Sequence, residues 1–472
     1  MNTSTRNLSL TIIDQEKFDQ LHDASLYLME NVGMKIEGAR ALKLLQDNGA
    51  LTTSDGLTTI PRGLVERALK SVPKELVLYT RDGEPSMKIN NVNPVYFGTH
   101  ADQLELVDPL SGNVRKFLRQ DTAMMCKLAD YLPNIHFILS VGMSSDMRPK
   151  VQSQITFLET VKHFSKTINF STNNIEALND IIEIAAIVAD GLKNLQERPF
   201  IFYLCDPIPP LAHPKESTEK LYICAENRIP MVYMPYCMMG GTSPMSFAGT
   251  LAQCNADVLT GLVITQLVSE GTPFIYGSMP SVFDMRSTIG SYGAPEFHLL
   301  VAASSDLAAY YGIPFFGTAG CTDAKVLDEQ AVAETTMELF STMLSKANIV
   351  HDVGVMDHCN SVSPELVVLA DEIIEGLKHY IQGVQVNTEE LALDVIMEVG
   401  PGGHFLTNLH TLSNFKKVWY PSLFSRNMQN NNQSQVKGKV KEKISNIMES
   451  HLVPQLDKTI LMELEKWSAK LE

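Results

Sequence analysis

The sequence has 472 residues, 44% hydrophobic and 19% charged, with a formal net charge of −16. A chain this long and apolar is neither disordered nor dependent on disulfide staples. Its acidic balance (pI ≈ 5.2) argues against nucleic acid or an anionic membrane as partner. The first fifteen residues lack a cationic start followed by an apolar core, and Asn, Asp and Gln interrupt the long apolar stretch Ala252–Gln266. Neither a secretory signal nor a membrane span is therefore expected, and the expected setting is cytoplasmic. Seven cysteines (Cys126, Cys205, Cys224, Cys237, Cys254, Cys321, Cys359) form no C-x-C or C-x-x-C pair. They read as buried, reduced thiols without a thiolate zinc site.

Residues 1–92 form a helical N-terminal extension, with apolar positions every three to four residues. Leu21, Leu26, Leu28 and Met29 mark one helix, Leu42, Leu44 and Leu45 a second, and Leu64, Ala68 and Leu69 a third behind Pro61. This extension reads as a lid or brace. From residue 93 to 385, short β-branched or aromatic runs alternate with helix-length amphipathic stretches. The runs are Val95–Gly98, His136–Val141, Thr167–Ser171, Phe200–Cys205, Pro230–Met234, Pro273–Gly277, Ile313–Gly317 and Ile349–Val353. A small hairpin is expected around Leu104–Lys116. Eight such βα units predict an α/β fold, a closed (β/α)8 TIM barrel. Ser363 before Pro364 marks the start of the last barrel helix. Residues 386–472 return to helices and hold a Gly-rich knot, Gly400–Leu406, and a polar, Lys-rich stretch at 427–442 that reads as a solvated loop and helix face.

Barrel active sites draw on the C-terminal ends of the strands. Those positions carry Thr99, His100 and Asp102, then Ser144–Asp146, Thr172–Asn174 and Asp206–Pro210. Further along they carry Tyr236 with Gly240–Pro244, Asp284–Arg286, Thr318–Lys325 and His351–Asp352. No G-x-S-x-G elbow and no P-loop lysine appears, which argues against acyl and phosphoryl transfer. The first strand is not followed by G-x-G-x-x-G, so a dinucleotide-binding open sheet is disfavoured. Aromatics on or beside the strand ends, including Tyr96, Phe97 and Tyr236, either fill the barrel or wall a site for a quaternary ammonium.

Several blocks in order also carry a resemblance. They are Asp206–Leu211, Gly240–Pro244 with Ala248–Gln253, Gly320–Lys325 with Asp328–Ala331, Ala347–Gly354 with Ser363–Val367, and Gly402–Leu406 with His410-Thr411. Together they resemble the trimethylamine:corrinoid methyltransferase superfamily, in its branch without pyrrolysine, over nearly the whole chain. The resemblance implies a barrel that moves a methyl group from an amine to the Co(I) of a corrinoid. That corrinoid is held by a separate small protein, so no cofactor is expected on this chain. Members that act on trimethylamine carry pyrrolysine near the end of a late strand, whereas Gly317–Lys325 here contains only ordinary residues. A quaternary ammonium already bears its positive charge, so the implied substrates are betaines: glycine betaine, proline betaine, carnitine or γ-butyrobetaine.

On this reading Tyr96, Phe97 and Tyr236 enclose the ammonium head, and Arg286 and His404, with His351, hold the carboxylate. His351 is the favoured catalytic residue, orienting the substrate, against the alternative that its Nδ1 caps a loop carbonyl. Gly240 and Gly241 allow close approach of the corrinoid or permit a tight turn. Asp323 and Lys325 contact the partner or pair with each other to brace their loop. No metal ligands are expected. The alternatives are a zinc-dependent methyl:corrinoid transferase for another donor, using Cys321, His351 and Asp352, and a betaine-binding protein without turnover. The low charge density and 22 methionines suggest a homo-oligomer.

Overall fold

The computed structural model describes residues 8–90, 94–99, 102–426 and 435–471. Eight parallel strands close into a barrel: β1 (Tyr96–Gly98), β2 (Ile135–Leu139), β3 (Thr167–Phe170), β4 (Ile201–Cys205), β5 (Met231–Tyr233), β6 (Phe274–Gly277), β7 (Phe315–Thr318) and β8 (Ile349–His351). β8 closes on β1, with Ile349 opposite Tyr96 and Val350 opposite Phe97. Each strand lies within a residue or two of the run that predicted it. The sequence pattern works here because parallel strands buried on both faces read as unbroken apolar runs.

The barrel helices are α1 (Arg119–Tyr131), α2 (Gln152–His163), α3 (Ile175–Val188), α4 (Lys215–Glu226), α5 (Phe247–Val268), α6 (Pro295–Tyr311), α7 (Glu329–Leu344) and α8 (Pro364–Ile381). Their starts are capped as the sequence requires. Asn174 accepts from the Ala177 amide, Asp328 from those of Gln330 and Ala331, and Ser363 from that of Leu366 behind Pro364 at the first helical position. The expected insert after β1 is a hairpin pairing Glu105–Val107 with Val114–Lys116.

Inside the barrel, the rings of Phe137, Phe202 and Phe316 meet from three non-adjacent strands at centroid distances of 5.5–6.3 Å. These contacts fix which residues face inward, because alternation along each strand and register between strands then assign the rest.

The N-terminal extension is a brace. Its helices Phe18–Tyr27, Ala39–Asp47 and Arg62–Ser71 pack on α5, and a hairpin of Leu76–Tyr79 with Pro85–Ile89 follows. Between β4 and the turn preceding it, Tyr79 bonds to Pro199, and Arg81 bonds to Ser165 just before β3. The hairpin therefore crosses the N-terminal ends of the strands, opposite the catalytic end. α5 is long and apolar enough to cross a membrane by composition alone, but protein encloses it on all sides, with 17 of its 22 residues buried. After α8 come short helices, then Val436–Ser450 against α1 and α8 and Lys458–Leu471 against α2 and α3. Of the Lys-rich stretch, 427–434 lies outside the described residues, and 436–442 opens a helix that buries Val440.

Candidate active site

His351 is the last residue of β8 and lies opposite Thr318 of β7. Its ring packs on Phe316 (centroids 4.6 Å) and is fully buried. Nδ1 lies 2.9 Å from the Gly317 carbonyl, and because a carbonyl only accepts, Nδ1 is the donor. Nε2 is thereby turned toward Asp352 Oδ1 at 3.3 Å. Asp352 is also fully buried and adopts φ +83°, a left-handed conformation unusual outside glycine. Such backbone outliers cluster at functional sites.

A polar cluster sits beside this pair. Tyr292, at the end of the hairpin after β6, bonds to Cys359 and feels the charge of Asp352; burial and then these neighbours push its phenol well above its ordinary range. Burial likewise raises Tyr236, against the smaller, lowering influence of Ser281 and Tyr292 beside it. Gly290 has no side chain because a Cβ there would lie 2.5 Å from the Tyr236 hydroxyl. Gln103 Nε2 reaches Cys359 Sγ at 3.3 Å. Both phenols thus stay neutral at physiological pH, and they stand near two carboxylates, Asp352 and Asp323.

The loop after β7 is held from beneath. The buried Glu338 of α7 accepts from the amides of Gly320 (2.9 Å) and Cys321 (2.8 Å). His298 Nε2 lies 3.2 Å from its other oxygen. Burial is the largest single influence and opposes a charge on His298, but the bond to Glu338, that carboxylate's charge and the Tyr292 carbonyl together outweigh it and raise the imidazole. Above this pair, Asp323 accepts from the Tyr292 amide (2.8 Å) and the Ser291 hydroxyl, and it pairs with His358 at 2.9 Å.

The structure distributes the expected residues unevenly. His351 and Tyr236 belong to the catalytic end. Tyr96 does not: it begins β1, its hydroxyl bonds to the backbone of Lys88 on the hairpin across the opposite end, and its ring packs on His136. Phe97 faces the helices, since the missing side chain of the next residue, Gly98, would sit on the inward Phe137 ring. Arg286 is exposed at the tip of the hairpin Ser281–Ser291, where its amide bonds to Asp284. His404 is exposed on the segment that follows α8. His100 lies outside the described residues.

Asp323 faces inward to the hairpin and does not pair with Lys325. Lys325 is exposed and lies 3.7 Å from Asp357. Gly240 and Gly241 are exposed and form a tight turn closed on Met238, with Gly240 at φ +88°. Around them the loops after β4–β7 present Ile208, Met245, Phe247, Met285, Ile289 and Val326 to solvent.

Tyr292 and Asn169 are among the residues of the site that the sequence reading did not single out. Tyr292 follows a hairpin insertion, so no strand end flagged it. Asn169 sits in a run that reads as plain strand. It lies opposite Phe202, so its side chain faces the barrel interior; it is fully buried, and neither its oxygen nor its nitrogen has a hydrogen-bonding partner. Its one signal was an amide in the middle of an apolar strand. Among the described residues no three His, Cys, Asp or Glu side chains gather closely enough to hold a metal ion. Cys321 instead bonds to Glu338.

The profile of the family described as trimethylamine methyltransferase (MTTB) matches residues 2–472. The chain belongs to this family. It is 32% identical over 467 residues to the glycine betaine methyltransferase of Desulfitobacterium hafniense strain Y51, covering 97% of this chain and 96% of that one. It is 30% identical over 421 residues to a trimethylamine methyltransferase of Desulfitobacterium hafniense strain DCB-2, covering 88% and 84%. A trimethylamine methyltransferase of Methanosarcina mazei is 28% identical over 471 residues, covering 97% and 94%. The chain is thus a methyltransferase of a corrinoid-dependent family, in the branch without pyrrolysine: Gly317–Lys325, at the end of β7 and its loop, are all standard residues.

Proposed function

We propose that this enzyme demethylates a quaternary ammonium of the betaine type, delivering the methyl to a corrinoid carried by a separate small protein. The observation that carries the reading is the end of β7. A tertiary amine needs help to leave, and Gly317–Lys325 contains no special electrophile to supply it. In a quaternary ammonium the carbon–nitrogen pair simply stays with nitrogen as the methyl passes to Co(I) as CH₃⁺, releasing a neutral tertiary amine with no proton required.

The residues of this chain then have three tasks. Tyr236 and Tyr292, kept uncharged by burial, offer ring faces to the cation, each contact being worth ~0.5–2 kcal/mol when desolvated. Asp352 supplies negative potential beside them. His351 is locked by the Gly317 carbonyl, so that it orients the bound donor for near-attack geometry. The exposed apolar groups of the loops after β4–β7, with the Gly240-Gly241 turn and Lys325 among them, suit the docking of the corrinoid protein over the mouth. Six buried free cysteines suit a reducing, cytoplasmic setting.

The test mixes the enzyme with its corrinoid partner in the Co(I) state and offers glycine betaine, proline betaine, carnitine, γ-butyrobetaine, trimethylamine and methanol in turn. A methyl-Co(III) spectrum with one or more betaines and neither other donor is expected. No change with any quaternary amine would leave a binding protein. Activity that depends on stoichiometric zinc would make it a metal-dependent transferase.

A further inference from the structure

Among the described residues, none in the eight barrel strands is a lysine, an arginine, an aspartate or a glutamate, and the one amide side chain there is Asn169. It points into the barrel between Leu139 and Phe202, its register partners on β2 and β4. The Phe137 and Phe316 rings pack on Phe202. These side chains neither donate nor accept a hydrogen bond. Exchanging the amide's oxygen and nitrogen would leave the same two groups unpaired. Buried polar groups rarely go without partners, and one aimed into the barrel of an enzyme marks a place for a ligand.

The amide borders the same interior as the candidate site. Phe202 packs on Phe316 (centroids 6.2 Å), and Phe316 packs on His351 (4.6 Å). On the betaine reading, the methyl faces cobalt at the mouth of the barrel, which turns the donor's tail inward. A quaternary nitrogen neither donates nor accepts, so any hydrogen bond to the donor is made by that tail. Arg286 and His404, the cations that would have paired with a carboxylate, are exposed to solvent. The tail is therefore met by a neutral amide, and this amide has two needs: an acceptor for Nδ2 and a donor for Oδ1. A carboxylate only accepts, so it serves the first. The second needs an O–H or an N–H.

We propose that the methyl donor is a hydroxylated betaine, whose carboxylate accepts from Asn169 Nδ2 while a nearby hydroxyl donates to Asn169 Oδ1. This rests on the betaine reading and narrows it. A 3-hydroxy acid tail carries the acceptor and the donor close enough together to meet one planar amide. The ammonium against Tyr236 and Tyr292 supplies a third fixed point, so the carbon that bears the hydroxyl is held in one hand.

Carnitine and γ-butyrobetaine differ by that hydroxyl alone, and they test the proposal in the methyl-transfer assay with the corrinoid partner. One enantiomer of carnitine should exceed γ-butyrobetaine in kcat/KM by at least ~100-fold, because a site built to bond a hydroxyl is left with unpaired polar groups by the analogue that lacks it. The other enantiomer should be at least ~10-fold poorer than the first, since it cannot meet all three points at once. Asn169→Leu should bring both ratios to within about threefold, chiefly through lost activity on carnitine. Asn169→Ala is made alongside, in case the leucine variant does not fold. Without cobalt or partner, the favoured enantiomer should raise the thermal midpoint of the parent enzyme more than γ-butyrobetaine does, and this advantage should vanish in the variants. Transfer from γ-butyrobetaine or glycine betaine as fast as from carnitine overturns the proposal and leaves the betaine reading standing. A preference for carnitine that survives both substitutions overturns the role of Asn169. No transfer from any quaternary amine removes the reading and the proposal together.

Discussion

Neither end of the Asn169 amide is satisfied by the protein, although the side chain faces the barrel interior level with Phe202. An unpaired buried polar group costs about 1–3 kcal/mol, so the native state carries this cost until something enters the barrel. Replacing it by leucine of similar shape removes the cost. Asn169→Leu is therefore expected to raise the thermal midpoint of the ligand-free enzyme while lowering kcat/KM for the methyl donor at least ~10-fold, the pattern of a site that trades stability for function. A loss of both would make Asn169 an ordinary part of the barrel. His351 is a different case, because one nitrogen is already committed to Gly317 and the other faces Asp352. His351→Ala should lower turnover at least ~100-fold, about 2.7 kcal/mol of barrier, in a steady-state assay with saturating donor. Near-normal turnover would reduce it to a strut between β8 and β7.

At the scale of elements, the barrel was legible because eight apolar runs alternating with eight helices fit a closed parallel barrel better than an open sheet. The faces and ends of those strands were not legible. A shift of one residue turns a side chain from inside to outside, which is why Phe97 faces the helices and Gly98 the interior. A strand of three residues also has its first residue near one end of the barrel and its last near the other. Tyr96 consequently lies at the closed end, against His136.

That contact has a consequence in acid. Burial, and then Lys378 and Lys166, lower the His136 pKa from 6.5 to about 3. The native state keeps it neutral while the unfolded chain takes up a proton near pH 6.5. Its contribution is therefore complete above pH 6.5 and is lost as pH falls toward 3, with a slope of up to ~1.4 kcal/mol per pH unit. Urea midpoints between pH 7 and 4.5 should fall less steeply for His136→Gln, which keeps an acceptor for the Phe97 amide. Parallel slopes in variant and parent would refute this assignment.

For the whole molecule, the question is whether the residue 1–92 extension is a domain or part of the barrel's own core. The sequence suggested a boundary because helices give way to strands there; packing argues for continuity. One buried apolar cluster contains Leu26 and Met29 from the brace, Leu259 from α5 and Phe137 and Phe316 from inside the barrel. Asn255 of α5 ties the three layers together: its nitrogen bonds to Ser25 of the brace (2.8 Å) and Tyr311 of α6 (2.9 Å), and its oxygen accepts from Tyr276 of β6 (2.9 Å). α5 is buried along most of its length, and the brace helices, with α4, are what keep it out of water. Leu26→Ala leaves a cavity in that shared core and should cost ~2–5 kcal/mol. If brace and barrel unfold as one unit, calorimetry will show the entire transition moving to lower temperature. A small early transition that moves alone, with the main one unchanged, would instead establish the extension as an independently melting domain and return the boundary to where the sequence drew it.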